Sequence, residues 1–92
     1  MIYENVWETS GNEATDVAIK ATHGIFAKVI LTGDGTNLAT AVIYDNATTA
    51  AGTVVARAAT KETAVVDGPV QCANGIYLDI GGTGANAVVL YR

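Results

Sequence analysis

The chain predicts an all-β fold: a compact antiparallel β-sandwich, jelly-roll or immunoglobulin-like, of seven to eight strands. Three observations carry that reading. Ile76, Leu78 and Ile80 alternate with Tyr77 and Asp79, the period of two that sends successive side chains to opposite faces of a strand. The composition is rich in Val, Ile and Thr and poor in the long helix formers Leu, Glu, Lys and Gln, which suits a pleated surface. Turn formers recur between short apolar runs, at the spacing seen in sandwiches and barrels.

The first residues concentrate bulky groups, Ile2, Tyr3, Val6 and Trp7, before Ser10-Gly11-Asn12-Glu13 breaks the chain. Residues 1–13 therefore read as an N-terminal arm or edge segment, and 14–92 as the sandwich domain. From Asp16 to Lys20 the alternation is clean, with Val17 and Ile19 facing in. Ile25 to Thr32 is the longest strand, with Ile25, Ala27, Val29 and Leu31 assigned to its core face. Thr32-Gly33-Asp34-Gly35-Thr36-Asn37 is a turn, because Gly supplies positive φ while Asp and Asn close local hydrogen bonds.

Thr40 to Tyr44 is a strand with Ile43 inward, and Asp45 to Gly52 a loop of small residues. Thr53 to Ala59 follows, with Val54 and Ala56 inward; Gly52 and the Val54-Val55 pair weigh against a helix there. Thr63 to Val66 is short, since Asp67-Gly68-Pro69 is expected to interrupt it. From Gly75 onward a closing hairpin is expected, its two strands joined by a tight glycine turn. The expected core is Val17, Ile19, Ile25, Val29, Leu31, Ile43, Val54, Ile76, Leu78, Ile80, Val88 and Leu90.

Composition narrows function by exclusion. The net charge is −4, and Lys20, Lys28, Arg57, Lys61 and Arg92 are too scattered to form the basic stripe of a nucleic-acid binder. No segment approaches the ~20 apolar residues of a membrane-spanning helix. The start lacks the basic region and apolar run of a signal peptide, and Cys72 is the only cysteine, so folding in a reducing cytoplasm is expected. Charged residues are only 15% of the chain, which leaves much of the surface to Ala, Thr, Gly and Val. Such a surface fits coverage by copies of itself or by a larger assembly.

Chemical motifs are weak. Gly82-Thr83-Gly84-Ala85-Asn86-Ala87 has the spacing of a dinucleotide loop, but a strand follows where the helix that receives the pyrophosphate is required. Gly33 to Asn37 offers one carboxylate where a calcium site gathers six or more oxygens. His23 is the single histidine, and Cys72 is distant in sequence, so neither a zinc set nor a Cys–His pair is supported. No catalytic residue, cofactor or metal is expected. Tyr3 and Trp7 either plug one end of the core or dock on a neighbour, since Trp and Tyr bury large areas and are enriched among interface hot spots. Ile2, Tyr3, Val6, Trp7, Asp34 and Asn37 are the interface candidates.

From His23 to Tyr91 the order of features resembles small virion proteins of tailed bacteriophages. The residues that carry the resemblance are the Val42-Ile43-Tyr44-Asp45 strand, Gly52-Thr53-Val54-Val55, Pro69-Val70, and Gly75-Ile76-Tyr77-Leu78-Asp79 with the following Gly-Thr-Gly-Ala turn. The resemblance implies a capsid decoration (cement) protein on the capsid exterior. Its expected partners are the major capsid protein and itself, as a homotrimer, with no nucleic acid and no membrane. The alternative is a neck, tail or fibre-base component with a carbohydrate-binding surface; a small enzyme is a poor third. Residues up to Thr22 lie outside the resemblance.

Overall fold

The computed structural model describes residues 7–92. Eight strands form two four-stranded antiparallel sheets, with no helix among the described residues. They are β1 (Glu8–Thr9), β2 (Val17–Lys20), β3 (Gly24–Thr32), β4 (Ala39–Asp45), β5 (Thr53–Thr60), β6 (Thr63–Cys72), β7 (Ile76–Gly81) and β8 (Asn86–Tyr91). One sheet has the order β1-β8-β3-β6, the other β2-β7-β4-β5. The pairs β1·β8, β2·β7, β3·β6 and β4·β5 are therefore nested, as if one long hairpin with its tip between β4 and β5 had been rolled up. This is jelly-roll order, and it decides between the two sandwich types that the sequence left open.

Sheet assignment corrects the expected closing hairpin. β7 and β8 lie in different sheets, and Gly81 to Ala85 is a corner that carries the chain from one layer to the other. Gly82 has φ +100°, and a Cβ there would collide with the Leu38 carbonyl, so the corner needs glycine. Among the described residues only β4 and β5 are consecutive partners within a sheet, joined by the loop whose Asn46 side chain accepts from the Thr48 and Thr49 amides at 3.0 and 3.1 Å.

The core between the sheets is Phe26, Val29, Leu31, Ala39, Ala41, Ile43, Ala56, Cys72, Ile76, Leu78, Ala85, Ala87 and Val89, with Val17, Ile19, Val55, Val66, Ile80 and Tyr91 packed against it. Four expected core residues, Ile25, Val54, Val88 and Leu90, are outside this cluster. Bulges explain two of them. On β3 an extra residue, Ala27, stands between Phe26 and Lys28, which partner the consecutive β8 residues Tyr91 and Leu90. The insertion reverses the alternation, so Phe26 and not Ile25 faces in with Val29. On β5, Ile43 partners Ala56 while Tyr44 partners Val54, which leaves Val55 as the extra residue and turns Val54 outward with Tyr44.

On β8 no bulge is involved: Ala87 and Val89 face in, and Val88 and Leu90 lie half-buried on the outer face. β6 also corrects the sequence reading, because it runs through Asp67-Gly68-Pro69 to Cys72 without interruption. Pro69 is tolerated there because β6 is an edge strand and Gly68-Pro69 sits at the register shift opposite Ala27.

Carboxylates tie the corners. The Asp45 side chain accepts from the amides of Ala73, Asn74 and Gly75 at 3.1, 2.8 and 3.3 Å, fixing the turn between β6 and β7. Asp16 accepts from the Ile80 amide at 2.8 Å and so holds the entry to β2 beside β7.

Candidate functional site

The outer face of the β1-β8-β3-β6 sheet should alternate to polar residues if it faced only water. It does not. Ile30 is the direct partner of Val65 on one side and Val88 on the other, giving an apolar rung across three strands. Val65 is 50% exposed. On the next rung Lys28 partners Asp67 and Leu90, and its ammonium lies 3.4 Å from the Asp67 carboxylate. Trp7, 36% exposed, extends this face: with Ala27, Lys28, Asp67, Gly68, Pro69 and Leu90 it lines a shallow depression of about 320 Å³. The Arg92 guanidinium stands 5.3 Å from the centre of the Trp7 ring, a cation–π contact.

β1 positions the tryptophan. Glu8 and Thr9 pair with Tyr91 and Leu90, Ser10 accepts from and donates to Val89 through its side chain and amide at 2.9 Å, and Glu13 exchanges two backbone bonds of 2.8 Å with Ala87. Residues 8–13 thus run along the sheet edge and deliver Trp7 to the outer face beside Arg92.

The sequence-derived interface candidates separate in space. Ile2, Tyr3 and Val6 lie outside the described residues. Asp34 and Asn37 follow Thr32, whose β8 partner is Asn86, whereas Trp7 precedes the partner of Tyr91. Five residue steps along β8, about 17 Å of strand, separate the two groups. The Asp34 carboxylate is occupied locally: it accepts from the Thr36 and Asn37 amides at 2.8 Å each and from the Asn37 side chain at 2.9 Å. The Asn37 backbone and side-chain bonds, followed by that of Thr36, hold its pKa down to about 2. This loop also touches the corner between β7 and β8, where a Cβ on Gly84 would sit 2.8 Å from that of Asp34.

The sequence reading puts Ile30 on the side opposite the core and gives Val65 no face, but it expects Val88 and Leu90 in the core, so the apolar patch went unrecognised. The signal was present: β3 and β8 are apolar at both parities, so one face had to be something other than a solvated one.

Two further groups come together. His23 and Cys72, far apart in sequence, line one depression of about 360 Å³ because Gly24 partners Cys72. The thiol is buried and donates to the Val70 carbonyl at 3.8 Å. Burial, then the Asp45 carboxylate, push its pKa up, so the thiolate needed for nucleophilic or metal chemistry is disfavoured. No group of three or more His, Cys, Asp or Glu side chains suited to a metal occurs among the described residues. On the other sheet, burial first and the Asp16 carboxylate second raise the pKa of Asp79.

No family model, no curated protein and no solved structure matches the chain.

Proposed function

We propose that the protein is a structural component of a tailed-phage virion, a capsid decoration (cement) protein that stabilises the outer lattice by attachment and not by turnover. It binds at junctions between major capsid protein subunits as a homotrimer. One observation supports this reading above the others: the apolar outer face formed by Val65, Ile30, Val88 and Leu90, which continues to Trp7. A face of this kind gains free energy only when another surface covers it.

A standard interface takes about 800 Å² from each partner. The accessible surface of the chain is 5048 Å², so such an interface would cover about one sixth of it. Ile2, Tyr3 and Val6 precede Trp7 in sequence and are apolar side chains that the attachment can also use. Burial of each aliphatic side chain contributes roughly 1.5–3 kcal/mol. Repetition around a symmetric oligomer multiplies such modest gains, because one engaged copy raises the effective concentration of the others. Jelly-roll domains also recur in viral capsids.

The test uses particles stripped of the protein. Wild type, a chain beginning at Trp7, and the double variant Val65→Asp/Val88→Asp are added back, and occupancy is read from particle reconstructions. The wild type should occupy many lattice-related positions, and the double variant should leave them empty while retaining its circular dichroism spectrum. The shortened chain keeps β1 and should fold, with reduced occupancy. Wild-type density confined to the neck or tail would overturn the capsid position. Full occupancy by the double variant would remove the sheet face from the interface.

A further inference from the structure

We propose that the outer face of the other sheet, β2-β7-β4-β5, binds a neutral saccharide, with Tyr44 and Tyr77 as its stacking floor and Asp79 and Arg57 as its polar rim. Tyr44 on β4 and Tyr77 on β7 are direct cross-strand partners. Both are half-buried, whereas their chain neighbours Ile43, Ile76 and Leu78 are fully buried between the sheets. The two phenol rings therefore share the outer face. One rung along, Val42 partners Asp79 on one side and Arg57 on the other. The aromatic pair is thus followed by an apolar floor with an acceptor and a donor at its two sides.

That order of groups matches a pyranose. The sugar has an apolar C–H face and a rim of hydroxyls that both donate and accept. A tyrosine ring offers a flat apolar surface with a polar tip. An ionised carboxylate only accepts hydrogen bonds, and a guanidinium only donates them. With strands about 4.8 Å apart, Arg57 and Asp79 lie about 10 Å from each other across Val42, and their rung is about 7 Å from the tyrosines, the footprint of roughly one or two sugar rings. A shallow depression of about 350 Å³ lined by Thr40, Val42, Arg57 and Ala59 prolongs the face. Strand positions fix the side chains, and a tyrosine has few rotatable bonds to immobilise on binding.

Charge selects the sugar class. Asp16 stands beside Asp79, and the two carboxylates interact closely enough to raise the pKa of Asp79. Two acids at one side of the floor repel carboxylated or phosphorylated sugars, so the fit is to a neutral glycan. The attachment face lies on the opposite sheet, so both faces can be occupied together and each reading can fail without the other.

The experiment is a titration of the full ¹⁵N-labelled chain with cellotriose, chitotriose and maltotriose. At least one of these should produce saturable shifts at the amides of Val42, Tyr44, Tyr77 and Asp79 in the millimolar range or tighter. Arg57→Ala, an exposed substitution, and Tyr77→Ala should each weaken binding, the latter by about tenfold, equivalent to 1.4 kcal/mol. Trp7→Ala should leave it unchanged. If Tyr77→Ala does not fold, the exposed-site variant Arg57→Ala decides. Absence of saturable shifts at these amides with all three sugars, or shifts confined to the Trp7 face, or undiminished binding by Arg57→Ala, would overturn the proposal.

Discussion

Val88 and Val89 are adjacent and chemically identical, so replacing each by Ala isolates the face on which it lies. Val89 is fully buried and partners Val29; Val88 is half-buried on the outer face opposite Ile30. Val→Ala removes two methylene equivalents, and at about 0.8 kcal/mol each the transfer contribution at Val89 is about 1.6 kcal/mol. The cavity left between tightly packed sheets adds to this, giving about 2–3 kcal/mol for Val89→Ala. Val88 already borders water, so Val88→Ala should cost less than about 1 kcal/mol. In a domain of this size each kcal/mol shifts Tm by about 4–8 °C, so Val89→Ala should lower it by at least about 8 °C. Urea unfolding followed by far-UV circular dichroism should show a lower midpoint at unchanged m value. Equal losses, or the larger one at Val88, would refute the β8 register and with it the apolar outer face.

Asp45→Ala deprives the Ala73, Asn74 and Gly75 amides of their acceptor, and should cost about 1.5–3 kcal/mol in the same unfolding assay. Gly82→Ala places a side chain at φ +100° against the Leu38 carbonyl, and should destabilise by roughly 1–3 kcal/mol or more. Asp34 has its folded pKa lowered from 3.8 to about 2, so its contribution to stability is present above pH 3.8 and is lost as pH falls toward 2. Asp34→Asn should therefore flatten the acid limb of the stability profile in that window. Asp79 has its folded pKa raised, which is the opposite sign: its contribution is greatest below 3.8 and is lost as pH rises through the folded value. Asp79→Asn should raise stability at neutral pH, and the gain should vanish below pH 3.8.

Strand positions were legible because alternation and turn chemistry are local properties. Val17, Val29, Leu31, Ile43, Ile76 and Leu78 sit where the period of two places them. What failed was non-local. The bulges at Ala27 and Val55 depend on how many residues the partner strand supplies, and no pattern within β3 or β5 alone records that. The β7–β8 corner failed similarly, since a glycine turn between two apolar strands serves a hairpin or a crossing between layers equally well. The pairing of Tyr44 with Tyr77, and of Val42 with Arg57 and Asp79, joins three strands by tertiary register and leaves no motif in the chain.

The misassignment of Val88 and Leu90 has a cause that bears on function. A strand with one solvated face states its register by the contrast between faces, and a slip of one residue is then costly. β3 and β8 have little contrast: Ile30 and Leu90 are as apolar as Val29 and Val89, and inside the sandwich β8 uses the small Ala87 where it exposes the larger Val88. Selection of the bulkier face as the core fails when the bulk is on the outside. The inward face is small because two sheets at about 10 Å separation must interdigitate around Phe26, Leu31 and Leu78. Large apolar groups on the other side contribute nothing to that packing, and water opposes their exposure. The blurred periodicity of β3 and β8 and the proposed attachment therefore rest on the same residues.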